Sequence, residues 1–280
     1  MKYIISERQY KLLTEDEERK VLKLPGVEVF GGWEGLQAYL NKKGNPLFSI
    51  SGDLDFRVTP IKSLDNLVSV EGNLDLHGSE IESLGNLESV GGYLDLGNTD
   101  IKSLGNLKSV GGDLHLYDTQ IQSLDNLVSV GGNLYLLGTS IKSLGNLKTV
   151  GGYLDLGNTD IKSLGNLESV GGDLNLSRTK IQSLDNLVSV GGFLDLGNTD
   201  IKSLENLESV GGSLYLNRTP IESLGNLESV GGNLYLSSTP IQSLGNLKYV
   251  GGDLNLIGTP KIYSRYKIKK MIDIRGKIFM

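Results

Sequence analysis

Leucine, isoleucine and valine return along this chain at one fixed spacing. In GGYLDLGNTDIKSLGNLKSV, residues 91–110, the apolar positions are Leu94, Leu96, Ile101, Leu104, Leu107 and Val110. The same set recurs every 20 residues from about Ile50 to Pro260. Self-similarity at so short a period is the signature of a solenoid. Leu94 and Leu96 alternate with Tyr93, Asp95 and Gly97, which predicts a short strand with one buried face. The later spacings fit neither a straight strand nor a long helix. They fit a chain that turns inward repeatedly as it winds back. Gly111 and Gly112 precede the next strand and mark a corner that needs either positive φ or close approach of two coils. One coil cannot bury six aliphatic side chains alone, but stacked coils can. Their burial contributes roughly 9–18 kcal/mol per coil before entropy is subtracted.

Eleven strands are predicted, centred on pairs that run from Leu54/Phe56 to Leu254/Leu256. A longer period of 60 is visible too: SLDNLVSV begins at Ser63, Ser123 and Ser183, which indicates duplication in blocks of three coils. Three regions follow: a helical N-terminal cap over 1–47, the array over 48–260, and a C-terminal cap over 261–280. In the first, Glu7 to Leu24 carries helix formers, with Thr14 and Glu17 spaced as a capping box, and Trp33 to Lys43 reads as a second helix. In the last, SRYKIKKMID reads as a short helix. IRGKIFM then realigns with VGGDLNL as a closing strand.

The pattern LxLxxTxIxxLxxL resembles the leucine-rich repeat family, in its shortest, bacterial-type class, over about 210 residues. In that family an Asn usually follows the strand. Here the position holds Thr59, Thr99, Thr119, Thr139, Thr159, Thr179, Thr199, Thr219, Thr239 and Thr259, with Ser79 in the remaining coil. The Leu-Pro pairs common in bacterial effector repeats are absent. The Thr column reads as an internal hydrogen-bonding ladder rather than a flat outward array for ice, because core Ile flanks it. The resemblance implies a horseshoe with a parallel β-sheet on its concave face, mostly β and irregular structure, and non-enzymatic protein binding through that face. The opening MKYIISERQYKLL on a signal-less solenoid resembles proteins encoded by bacteria and their viruses. That implies a cytoplasmic or virion-associated setting.

The net charge of −6 is unevenly spread. Residues 1–50 carry +8 and −7, residues 51–260 carry +12 and −25, and residues 261–280 carry +7 and −1, giving +1, −13 and +6. An acidic array argues against a nucleic-acid groove along its length. There is no cysteine, so disulfides, thiolate metal sites and a cysteine nucleophile are excluded. No apolar run is long enough for a membrane span, and there is no GxxxxGK[ST] phosphate loop.

Two solvent-facing columns flank the buried leucines of each strand, and unlike the core they vary. From them the expected partner-binding residues are Asp53, Asp55, Asp75, Tyr93, Asp95, Asp113, His115, Tyr135, Tyr153, Asp155, Phe193, Asp195, Tyr215 and Tyr235. The face is acidic toward the N-terminal side and aromatic toward the C-terminal side. It suits a protein partner with a basic surface. The plainer alternative is a sheet face that these residues merely solubilise. Asp55, Asp75 and Asp95 lie side by side, so at least one pKa should rise unless a basic partner or a cation relieves the repulsion. A regular ladder gives no cleft with an acid and a base in distinct environments, so no catalytic residue is expected. No cofactor and no metal site are expected either: the GGxGxD pattern of calcium-binding rolls is missing, and His77 and His115 fall in different columns and read as surface residues. The second functional reading is a rigid spacer or accessory subunit in a larger assembly.

Overall fold

The structure is a computed structural model that describes residues 21–261 and 263–280. It is a parallel β-solenoid of about 12 turns, consistent with a leucine-rich-repeat-like 20-residue unit. Each coil contributes a strand to each of two sheets. One, the Leu sheet, has 12 strands that begin on the predicted leucines, from Leu54–Asp55 to Ile278–Phe279. The other, the Val sheet, has 13, from Leu22–Leu24 through strands such as Ser109–Val110 to Asp273–Ile274. The sequence pattern predicts only the Leu sheet. The Val sheet escapes it because most of its strands, such as Ser109–Val110, bring a single inward residue, too few to show alternation.

Register stacks like on like: Leu94 lies on Leu114, and Val110 on Val130. Within a coil, Leu94, Leu96, Ile101, Leu104, Leu107 and Val110 are all at most 1% exposed. They close one uninterrupted apolar column. The Gly-Gly corner joins the two sheets, and close approach, not positive φ, dictates glycine there. A Cβ on Gly111 would overlap the Gly91 carbonyl, and one on Gly112 would crowd the backbone of Gly92 and Tyr93. Two further corners do use the left-handed region, as at Asn98 (φ 55°) and Gly105 (φ 58°). Before the second of these, Ser103 Oγ accepts from the Gly105 N–H at 3.0 Å.

The Thr column is inward, but its bonds stay within the coil: Thr99 Oγ1 donates to Leu96 O at 2.6 Å, and Thr199 Oγ1 to Leu196 O at 2.7 Å. The side-chain ladder between coils is made instead by asparagines of the outer corner. Asn126 Nδ2 donates to Gly105 O at 2.9 Å, and Asn206 Nδ2 to Asp185 O at 2.9 Å. Ser79 is the odd member, buried with no hydrogen-bond partner for its hydroxyl.

Both ends are closed by non-repeating structure. Helix Trp33–Lys42 buries Leu36 and Leu40, and Trp33 meets Phe56 edge-on at 5.0 Å. Leu22–Leu24, expected as helix, is a strand paired in parallel with Phe48–Ile50, because an open sheet edge offers its backbone a ladder. The expected helix start at Thr14 and Glu17 lies outside the described residues. At the other end, helix Arg265–Met271 is capped by Ser264 and buries Ile268. Asp273–Ile274 and Ile278–Phe279 then extend the two sheets on the predicted alignment.

Candidate functional site

The Leu sheet brings all the expected partner-binding residues to its outer face, but it gives the two columns different work. In the column before the strand, a side chain of one coil accepts from the backbone of the next. Asp53 Oδ1 takes the Asn73 N–H at 2.7 Å, Asn73 Oδ1 the Tyr93 N–H at 3.0 Å, Asp113 Oδ1 the Asn133 N–H at 2.6 Å and Asn133 Oδ1 the Tyr153 N–H at 2.7 Å. Asp53 and Asp113 are therefore parts of the fold as well as of the surface. Tyr93, Tyr153 and Phe193 end each run, since their side chains carry no acceptor placed to continue it.

In the second column the carboxylate bends back onto its own coil. Asp95 Oδ1 accepts from the Gly97 N–H at 2.8 Å, Asp155 Oδ1 from Gly157 at 2.9 Å and Asp195 Oδ1 from Gly197 at 2.8 Å. These are Asx turns. Each ends the strand and leads into the left-handed corner.

The acidic end is already neutralised in part. Arg57 pairs with Asp55 at 2.6 Å and reaches Asp75 at 3.6 Å. The expected rise in pKa does not occur at Asp55. Hydrogen bonds from the Arg57 side chain and backbone, with its charge, hold that carboxyl below the usual range. Around Asp95 gather both histidines of the chain. His115 Nδ1 is 3.3 Å from Oδ2, His77 Nδ1 is 3.7 Å from Oδ1, and the Tyr117 hydroxyl lies 3.0 Å from His77 Nδ1. Tyr135 packs edge-on to His115 at 4.8 Å. Gly97, between the His77 and Tyr117 positions, makes room: a Cβ there would overlap the Tyr117 ring. Arg57, His77 and Tyr117 share a column just past the strand, which sequence columns drawn on the strand alone leave out. The signal was the 40-residue separation of His77 and Tyr117, two coils in one column. Burial and the neighbouring carboxylates raise the pKa of Tyr93 and Tyr117, so both phenols stay protonated.

Toward the C-terminal end the face is aromatic. Phe193 meets Tyr215 edge-on at 6.3 Å, and Tyr215 stacks on Tyr235 at 4.9 Å and 11°. Tyr153 donates to Asp155 Oδ2 at 2.8 Å, and burial first, then that bond, pushes its pKa up. Tyr93 and Tyr135 are 37% and 36% exposed. Among the described residues no group of three or more His, Cys, Asp or Glu could hold a metal ion, and no helix is long and apolar enough to cross a membrane. Compared with known proteins, the chain matches no family model, no curated protein and no solved structure.

Proposed function

We propose that the chain is a non-enzymatic protein-binding module whose contact surface is the outer face of the Leu sheet. In this reading that face is the concave surface of a leucine-rich-repeat-type horseshoe, and its partner is a protein with basic groups toward the Asp75–Asp95 end. One observation carries it. A backbone that repeats every coil displays, on this face, side chains that change from one coil to the next, with Tyr93 toward one end and Tyr215 and Tyr235 toward the other. Tyrosine offers a large contact area and a polar tip at small entropic cost, which suits recognition. The ring stack at Tyr215 and Tyr235 fixes two such groups in advance.

The test is to capture a partner from native cells or particles on the immobilised chain, then measure binding to variants. Tyr215→Ala with Tyr235→Ala should speed dissociation. A partner indifferent to those changes, yet lost when Lys102, Lys142 and Lys162 are replaced, would place the contact on another face. A chain that captures nothing and behaves as an inert monomer would favour the spacer role.

A further inference from the structure

Among the described residues, the Leu-sheet side of the stack is interrupted once. Along the array, the amide after each strand donates to the next coil: Leu116 N–H to Tyr135 O at 2.9 Å, Leu156 N–H to Asn175 O at 2.8 Å. Two residues on, Asp118 N–H reaches Leu137 O at 2.9 Å and Asn158 N–H reaches Ser177 O at 3.0 Å. Among the described residues, Leu136 and Gly138 make no such bonds to Asp155 and Gly157, and the strands there share a single register pair, Leu134 with Leu154. The Val sheet stays paired across the same junction, Thr149 on Ser169 and Val150 on Val170. So the two coils part on one side only.

The parting is a cavity of about 760 Å³, walled by Tyr135 and Leu137 of one coil and by Tyr153, Asp155 and Gly157 of the next. Leu137 is 82% exposed, the most exposed of the large apolar side chains among the described residues, and faces a coil whose matching position is glycine. Leu136 is 2% exposed and lines this cavity, and buried backbone groups are seldom left without a partner. The carboxylate at the rim asks for nothing, because Asp155 holds the Tyr153 hydroxyl and the Gly157 N–H. What remains open is a backbone N–H on one wall and a backbone C=O on the other, beside an apolar surface. A secondary amide carries the complementary acceptor and donor, as an added strand does at a sheet edge.

We propose that this cleft is a socket for an extended peptide segment, whose backbone amide accepts from Leu136 N–H and donates to Asp155 C=O while a leucine or aromatic side chain packs on Leu137 and Tyr135. The assignment of that peptide to the partner rests on the protein-binding reading; the socket itself does not. In the isotope-labelled full chain, N-acetyl-leucinamide at millimolar concentration should shift the Leu136 and Gly138 amide resonances and slow their hydrogen exchange. Leu137→Ser should weaken that binding about fivefold, the scale of a few lost methylene contacts, with the rest of the spectrum unchanged because Leu137 is exposed. No response at these two amides overturns the socket. An equal response to methyl β-glucopyranoside overturns its peptide specificity and points to a sugar site. A captured partner that needs Tyr215 and Tyr235 but ignores Leu137→Ser overturns the proposed occupant while the binding face stands. A probe that binds while no partner uses the Leu sheet keeps the socket and sinks the reading.

Discussion

At the scale of the residue, the fold depends on backbone positions that few side chains tolerate. Val58 sits at φ 53°, a conformation costly for a β-branched residue, in a column filled elsewhere by Gly, Asn, Asp, Arg or Ser. Val58→Asn should raise stability by about 0.5–1 kcal/mol in urea unfolding, since Asn accepts the left-handed region. Asp185 illustrates charge used for cohesion. Its Oδ2 accepts from Ser163 Oγ at 2.7 Å, Leu164 N–H at 2.7 Å and Gly165 N–H at 2.9 Å, stapling one coil to the previous one. Partial burial works against the charge, but these bonds and that from Ser183 outweigh it and lower the pKa. A depressed carboxyl stabilises the fold above its unfolded value, about 3.9, and that stability is lost as pH falls through the folded value. Asp185→Asn should therefore cost about 1–2 kcal/mol at pH 7. Stability curves of the two proteins should converge as pH falls below the folded value. A constant gap across that range would show that the carboxylate's charge is not what the staple uses.

At the scale of the element, the closing strands carry a clear expectation. Deleting residues 273–280 removes the last strand from both sheets and uncovers Val250 and Leu254, each fully buried in the intact chain. The truncated chain should aggregate, or lose exchange protection in its last coils while the central ones keep theirs. This element shows how much can be read from sequence. The realignment of IRGKIFM with VGGDLNL was legible because Ile274 and Ile278 keep the spacing of Val250 and Leu254. So was the helix at Trp33, from its apolar face. The strand at Leu22–Leu24 was not, because three residues carry too little periodicity to outvote helix-forming neighbours. The candidate face was legible as a list of residues but not as a network. An Asp that solvates a sheet and an Asp that accepts the next coil's N–H look alike in sequence. That both histidines reach Asp95 depends on where the strand bends.

At the scale of the whole molecule, stability should be shared by the stack. Leu156→Ala in the middle should cost about 2–5 kcal/mol by denaturant unfolding, because its site is fully buried and its neighbours are fixed by register. Replacing the exposed Lys162 by Ala should change little. A partner bound by the Leu sheet should associate more slowly with Asp75→Asn and Asp95→Asn together, and the difference should shrink as salt rises, since charge on this face, though the two side chains are only 15% and 14% exposed, acts mainly on encounter. Equal rates at low salt would remove electrostatic steering from the account.

The acceptor column also bears on how such a chain can change length over generations. Its first two runs span three coils each, Asp53, Asn73 and Tyr93, then Asp113, Asn133 and Tyr153, while the third, Asp173 to Phe193, spans two. A gene segment for three coils, copied or lost whole, joins a Tyr to an Asp again and leaves every acceptor matched. The 60-residue echo in the sequence has the length of such a three-coil unit.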